Sequence, residues 1–121
     1  CIRDRCKVGE KMFDKSQLLK GTLEGCILQI VSAETTYGYE IVVRLAEAGF
    51  EGVREGTVYP LLMRLEKKGL LFAEFRPSPL GPSRKYFSLT PEGEQTLKEF
   101  YDAWAEISAA VAKVQNGGVS Q

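Results

Sequence analysis

The sequence predicts a mostly α-helical fold with one small β-hairpin, in which a winged helix-turn-helix continues into a long C-terminal helix. Three observations favour this fold class. Apolar residues recur at three- and four-residue spacing in four segments, as on the faces of amphipathic helices. Two short strand-like segments, joined by prolines and a glycine, lie between the third and the fourth of these segments. The last segment has the longest and most regular apolar repeat.

The first two helices are indicated by their apolar periodicity and by a glycine stop. The segment from Ser16 to Ala33 places its apolar residues on one face. A second periodic run, near 36–48, ends at Gly49, and glycine commonly terminates helices in a left-handed conformation. The turn-like segment 50–56 then separates this run from the third helix.

The third helix is expected at about 57–68, with Thr57 as its N-cap. Pro60 fits the first turn, where its missing N–H would have no intrahelical partner. Gly69 ends the helix. The apolar residues that share its inner face are Val58, Leu61, Leu62 and Leu65. The opposite face is therefore left to solvent or to a partner.

A β-hairpin is expected after the third helix. The segments Leu70–Arg76 and Ser83–Leu89 are rich in leucine and aromatic residues, which predicts two strands. Between them, Pro77–Pro82 supplies the proline and glycine of a turn. A hairpin directly after a helix-turn-helix is the wing of a winged helix, so we place that domain at residues 16–90.

The last helix is expected at residues 91–116, with Thr90 as its N-cap and Pro91 as its first residue. Its apolar residues alternate three- and four-residue steps: Leu97, Phe100, Trp104, Ile107, Val111 and Val114. Such a heptad seam is typical of helices that pair with another helix. We therefore expect dimerisation through this helix, and packing of the seam on its own domain is the alternative.

The two ends of the chain indicate no further helix or strand, and its cysteines indicate no metal site. Residues 1–15 are expected to be a disordered extension, and residues 117–121 a frayed tail. Cys1, Cys6 and Cys26 are the three cysteines, and the chain has no histidine, which is too few soft ligands for a four-ligand structural zinc site. We expect no metal site and no cofactor.

Composition limits the possible functions. No apolar run approaches the ~20 residues that a membrane span needs, and no secretory signal is recognisable, so we expect a cytoplasmic protein. The absence of histidine, of a glycine-rich phosphate loop and of a nucleophile elbow argues against an enzyme. Although the net charge is zero, residues 54–88 hold seven basic and three acidic side chains, a local excess of 7 − 3 = +4. That excess suits a surface that faces phosphate.

The outer face of the third helix and the wing are the predicted DNA contacts. The second helix of a helix-turn-helix presents its N-terminal part to base edges, while nearby donors hold phosphates. The candidates on the helix and after the wing tip are Thr57, Tyr59, Arg64, Lys67, Arg84 and Lys85.

Several motifs together resemble the PadR family of bacterial transcriptional regulators. The stretch Gly56–Leu70, with the sequence GTVYPLLMRLEKKGL, is similar to that family's recognition-helix signature. Tyr37–Ile41 resembles the start of its second helix, and Arg84–Thr90 with Gly93 resembles its second wing strand and the following helix. The resemblance covers about residues 16–114.

This resemblance implies a homodimer that binds a palindromic double-stranded DNA operator and represses transcription until a small molecule binds. The single long helix after the wing is similar to the short-tailed branch of the family. The DNA-facing positions that it implies are Tyr37, Gly38, Thr57, Tyr59, Arg64, Arg84 and Lys85. In multidrug-responsive members, a tryptophan at the place of Trp104 stacks on planar aromatic ligands. Phe100, Ile107 and Leu18 are the expected walls of such an effector site.

The main alternative is a winged helix that binds another protein and not DNA. A fold does not fix a function, and zero net charge is unusual for a strong DNA binder. A basic outer helix face favours DNA, whereas an apolar one favours a protein. Tyr59, Arg64 and Lys67 favour DNA, while Met63 favours a protein partner.

Overall fold

The computed structural model describes residues 15–117, which form four helices and three strands. In chain order these are α1 (Ser16–Ala33), β1 (Thr36–Tyr37), α2 (Gly38–Ala48), α3 (Glu55–Lys67), β2 (Leu71–Ser78), β3 (Gly81–Leu89) and α4 (Pro91–Gln115). The strands make an antiparallel sheet in the order β1-β3-β2. The predicted fold class is confirmed. The predictions for Cys1 and Cys6, and nearly all of the expected extension and tail, lie outside the described residues.

One hydrophobic core holds the first three helices against the sheet. Its buried members are Leu23, Ile27, Leu28, Val31, Ile41, Leu45, Val53, Val58, Leu62, Leu65, Leu71 and Phe87. Leu61 is half-buried beside them. On α4, Leu97 packs against this core. The apolar periodicity of the sequence therefore marks the faces that the core buries.

α1 is interrupted one turn after its start. Lys20 has ψ 134° and Gly21 has φ 77°, both outside the helical region. Glycine adopts such a positive φ without the steric penalty that other residues incur. Periodicity did not predict the break because Leu19 and Leu23, on either side of it, both pack toward the core.

The second helix begins later than predicted, because residues 36 and 37 form the short strand β1. Thr36 pairs with Phe87 and Tyr37 with Tyr86 of β3. Helix α2 then starts at Gly38. A two-residue strand has no periodicity of its own, so only its partner strand reveals it.

α3 begins two residues earlier than predicted, and the predicted N-cap is wrong. Arg54 is the N-cap, without a side-chain cap hydrogen bond, and the Thr57 N–H bonds the Arg54 carbonyl inside the first turn. The predicted start was too late because threonine is a favoured N-cap residue and arginine is not. Pro60 accordingly lies in the helix interior rather than the first turn, where it leaves the Gly56 carbonyl without its i+4 donor. Gly69, with φ 82°, follows the helix end as predicted.

The wing has longer strands and a shorter tip than predicted. β2 runs to Ser78 and β3 starts at Gly81, so only Pro79–Leu80 forms the turn. Pro77 lies inside β2, where the strand register is irregular between Arg76 and Ser78. Sheets tolerate proline at such irregularities, since no regular ladder hydrogen bond is lost there.

Thr90 joins the end of α3 to the start of α4. Its hydroxyl oxygen accepts a hydrogen bond from the Gly93 N–H at 2.9 Å, which confirms the predicted N-cap, and donates one to the Gly69 carbonyl at 2.7 Å. Pro91 is the first helical residue, as predicted. Gly93 packs on the Leu70 carbonyl with no room for a Cβ. This joint fixes the direction in which α4 projects from the domain.

Candidate nucleic-acid interface

α3 presents an exposed face along its length. Pro60, Met63 and Lys67 are exposed on it, whereas Val58 and Leu62 on the opposite side are fully buried. Residues of an α-helix are about 100° apart around the axis, so the side chains that flank this exposed face turn toward different neighbours. One flank faces α2, and the other faces α1.

Tyr59 lies on the flank that faces α2. Its ring covers Gly38 so closely that a Cβ on Gly38 would overlap it. Partial burial raises the pKa of the Tyr59 phenol, and the neighbouring Glu55 carboxylate raises that pKa further. The hydroxyl therefore stays protonated at neutral pH and can donate a hydrogen bond to a phosphate oxygen.

Aromatic rings and guanidinium groups form a cluster on the sheet next to Gly38. The Arg84 guanidinium lies 4.5 Å from the centroid of the Tyr37 ring, and the Arg76 guanidinium lies 4.8 Å from that of Tyr86. The two tyrosine rings meet edge to face, with centroids 5.3 Å apart. We call Tyr37, Arg76, Arg84 and Tyr86 the tyrosine–arginine cluster. The Arg76 Nε–H also donates a hydrogen bond to Glu74 Oε2 at 2.9 Å. Stacking restricts the two guanidinium groups, while their remaining N–H donors, in the guanidinium plane, can still reach phosphate oxygens.

Sequence reasoning missed half of this cluster. Tyr86 was not singled out, and Arg76 was given no contact. The strand register places Arg76 opposite Arg84, and Tyr86 opposite Tyr37. Since alternate residues of a strand share a face, the register is the signal that would have grouped all four.

Two predicted DNA contacts are held by carboxylates of the chain itself. Lys85 lies on the other side of β3 from Arg84, with its Nζ 3.0 Å from Oε1 of Glu66. Arg64 Nε lies 3.5 Å from Oε2 of Glu24 on α1, and this buried oxygen has no hydrogen-bond partner among the described residues. The second pair is therefore a charge contact without hydrogen-bond geometry. Arg64 remains mostly exposed.

The predicted contacts do not form one continuous patch. Thr57 lines a groove of about 880 Å³ between α1, α3 and the turn after α2, and Arg64 lies in the same groove. Lys67 is exposed near the end of α3. The residues that the structure gathers beside α2 and the sheet are Tyr37, Gly38, Tyr59 and Arg84.

The predicted effector residues are only partly brought together. An apolar cavity of about 390 Å³ lies between α1 and α4, and Leu18, Phe100 and Trp104 line it. Ile107, nearly one turn beyond Trp104, does not line the cavity. Cys26 does, and burial raises the pKa of its thiol, so the thiol is uncharged at neutral pH. Lys15 also lines the cavity, and most of the other lining side chains are apolar or aromatic, which suits an aromatic ligand.

The seam of α4 divides into an inner and an outer part. Leu97 packs against the core, and the ring of Phe100 lies on Gly25 of α1. From residue 101 to residue 117, every side chain is exposed. The outer seam residues, which are between 50% and 77% exposed, are Trp104, Ile107, Val111 and Val114. Packing on the chain's own domain therefore accounts for the first two seam residues and for part of Trp104, which lines the cavity beside α1.

Among residues 15–117, no three His, Cys, Asp or Glu side chains lie close enough together to hold a metal ion. None of the helices described is long and apolar enough to cross a membrane. The chemistry that the described surface offers consists of hydroxyl and guanidinium donors beside an exposed helix. These are the groups that contact nucleic-acid phosphates and base edges.

Comparison with known proteins points to transcriptional regulators. Residues 27–99 match the model of the transcriptional regulator PadR-like family. A Streptococcus transcriptional regulator of known crystal structure is 48% identical, with 82% of this chain and 97% of that chain covered and a TM-score of 0.75. A PadR-like transcriptional regulator from Bacillus cereus is 45% identical, with 84% and 99% covered and a TM-score of 0.76. A transcriptional regulator of Mycobacterium tuberculosis is 34% identical over 85 residues, which cover 70% of this chain and 78% of that protein.

Proposed function

Because the chain belongs to the PadR-like family of transcriptional regulators, and is thus a DNA-binding regulator rather than an enzyme, we propose that it is a homodimeric repressor with a palindromic operator. The observation that carries this proposal is the tyrosine–arginine cluster beside the exposed face of α3. Residues 16–90 then form the DNA-binding unit, and residues 91–116 the dimerisation helix. The proposed compartment of the protein is the cytoplasm, which also contains the chromosome.

The proposed DNA contacts fall into two groups. Thr57, Tyr59, Arg64 and Lys67 belong to α3, which would enter the major groove. Tyr37, Gly38, Arg84 and Arg76 lie beside it and would hold the phosphate backbone. Lys85 is the least supported of the predicted contacts, because it is paired with Glu66 and lies on the other side of β3 from Arg84. Arg76 is also paired, with Glu74 Oε2 at 2.9 Å, and it replaces Lys85 in the proposed set because it stacks beside Arg84 on the same face of the sheet.

Arg64 has a specific part in this proposal. To reach a phosphate or a guanine edge, its guanidinium must leave Glu24, from which it is 3.5 Å away. The guanidinium side of this pair is mostly exposed and makes no hydrogen bond to the buried Glu24 Oε2, so DNA competes only with a charge contact. A bidentate contact to guanine would give Arg64 two charge-assisted hydrogen bonds in its place.

The outer part of α4 supports homodimerisation. Four large apolar side chains on one helix face are exposed in the single chain, and a second copy of the helix would bury them. A two-fold dimer presents two α3 helices, which read two half-sites about 34 Å apart on DNA. The palindromic operator follows from that symmetry.

The apolar cavity supports relief of repression by a small aromatic effector. Trp104 offers a flat aromatic surface, and Phe100 with Leu18 offers apolar walls. Since Trp104 is the only tryptophan of the chain and lies both on the cavity wall and on the outer seam, its fluorescence reports on ligand binding and on dimerisation together. Titration with a series of planar aromatic dyes is expected to quench it saturably and to lower DNA affinity. Unchanged emission across the series would remove the effector from the proposal.

The DNA-binding proposal is tested by fluorescence anisotropy on a labelled duplex from the promoter region of the chain's own gene, across a salt series. Tyr59→Ala and Arg64→Ala are each expected to weaken selective binding about tenfold or more. Lys113→Ala is the charge-matched control for Arg64→Ala, because Lys113 lies near the far end of α4. It should leave the affinity unchanged.

The salt series separates this proposal from its alternative. Selective binding that falls steeply with salt, and is reduced in both α3 variants, is the expected result. Weak binding that ignores both the DNA sequence and the two substitutions would contradict a DNA-reading repressor. The search would then turn to protein partners of α3.

A further inference from the structure

The tip of the wing is apolar and exposed. Leu80 is 97% exposed, more than any other large hydrophobic residue described, and the exposed Pro79 and Pro82 flank it. Two-residue hairpin turns usually carry asparagine, aspartate or glycine. Here the turn is Pro79–Leu80, so the side chain at the outermost point of the wing is a leucine.

The tip is also stiff. The prolines at 77, 79 and 82 each fix the backbone φ angle within a six-residue span that includes Leu80. A preformed tip loses little conformational entropy when it is inserted into a partner. Leu80 is therefore presented as a fixed apolar wedge rather than as part of a mobile loop.

Positive charge lies directly behind this wedge. Arg76 and Arg84 face each other across the two strands, and the segment between them contains no acidic residue, although Glu74 on the far side of Arg76 is paired with it at 2.9 Å. Leu80 is four residues from Arg84, or about 13 Å at the rise of about 3.3 Å per residue in a strand. When the Arg84 guanidinium contacts a phosphate, the leucine can thus reach past the backbone toward the bases.

We propose that Leu80 enters the minor groove of bound DNA and partly unstacks one base step. The inference rests on the proposed function, because it adds a contact to the same DNA-binding surface. Apolar side chains in the minor groove act as wedges that separate neighbouring base pairs and bend the duplex. Pyrimidine–purine steps such as TA and CA unstack most easily, so the wedge selects such a step at the wing position.

Charge complementarity identifies the occupant as DNA rather than a protein. The apolar tip is small, and the charged side chains nearest to it on the same hairpin are Arg76 and Arg84, both stacked on tyrosines, of which Arg76 is also paired with Glu74. Phosphates on both sides of a narrow groove match that arrangement. A protein-binding tip would need only the apolar surface, and the two arginines would then be dispensable.

The experiment compares the full chain with its Leu80→Ser variant. The probe is a duplex that the wild-type chain selects from a random pool, with a donor and an acceptor dye at its ends and 2-aminopurine at the TA or CA step under the wing. Phe75→Ser is the matched control, since Phe75 belongs to the same hairpin and is 69% exposed. Because both side chains are largely exposed, both variants should fold, and their thermal unfolding midpoints verify this.

For the wild type we expect increased energy transfer, from bending, and increased 2-aminopurine emission, from unstacking. Leu80→Ser should lose both signals and weaken binding about tenfold. Its salt dependence should stay the same, because no charge is removed. Phe75→Ser should behave like the wild type.

The possible failures are distinguishable. Selective wild-type binding to straight DNA, or bending that persists in Leu80→Ser, would overturn the wedge and leave the proposed function intact. If the wild type selects no sequence from the pool, both the wedge and the proposed function are overturned.

Discussion

The inner and outer parts of α4 share one apolar repeat but meet different surroundings. In the inner part, Leu97 packs against the core and Phe100 packs on α1. In the outer part, from residue 101 to residue 115, all side chains are exposed. Burial of apolar surface is favourable whatever covers it, so a regular spacing says that a face will be buried but not by which element. The two hydrogen bonds of Thr90 set the direction of α4, so the outer part of the helix points away from the domain.

The largest expected effect is on association, in the outer part. Trp104→Ala combined with Ile107→Ala should weaken the dimer about 1,000-fold, because truncating central aromatic and aliphatic anchors costs about 2 kcal/mol each. Light scattering at micromolar concentration measures this as a fall from twice the chain mass toward one chain mass.

Leu97→Ala is the control from the inner part. It should lower the stability of the fold, because Leu97 packs on the core, and leave the mass in light scattering unchanged. If the double variant of the outer part kept the wild-type mass, the dimer seam would be rejected.

The next largest effect concerns the joint itself. Gly93→Ala places a Cβ against the Leu70 carbonyl, a backbone atom that cannot move away, so the free energy of unfolding should fall by about 2 kcal/mol. Urea denaturation measures this loss. Gly56→Ala is the matched control in α3, where a Cβ meets open space, and it should raise stability by about 0.5–1 kcal/mol. Equal effects of both changes would show that α4 is not anchored at Gly93.

A smaller effect is expected from the cap of α4. Thr90→Ala removes the acceptor for the Gly93 N–H and the donor to the Gly69 carbonyl, and should lower the free energy of unfolding by about 1 kcal/mol. Thr90→Ser keeps the hydroxyl and should retain most of the stability. Comparable losses in both variants, measured by urea denaturation, would mean that the hydroxyl bonds are not what fixes the joint.

Much of the fold was predictable because its signals are local. The ends of α1, the glycine stops of α2 and α3 and the capped start of α4 all follow from side-chain types within a few residues. The start of α3 was not predictable, because the true N-cap, Arg54, is not a residue type that favours capping, whereas Thr57 is. The interruption at Gly21 was also hidden, since the core is packed on both sides of it.

The candidate site was predictable only in part. The outer face of α3 followed from periodicity, and the resemblance added Tyr37 and Gly38. The tyrosine–arginine cluster depends on the pairing of β1 and β2 with β3, which no local pattern reveals. The carboxylates that hold Arg64 and Lys85 belong to other elements, so their proximity could not be seen in the sequence.

The sequence by itself determined the fold class, the order of the helices, which faces are apolar and the family. The first three features depend on periodicity, caps and turns, which act between residues close in sequence, and the family follows from the resemblance of its motifs. Only the tertiary structure decided that Tyr59 closes over Gly38 and that Arg84 stacks on Tyr37. It also decided that the seam of α4 leaves the domain after Phe100. Those outcomes depend on contacts between residues distant in sequence, which exist only once the core has brought the elements together.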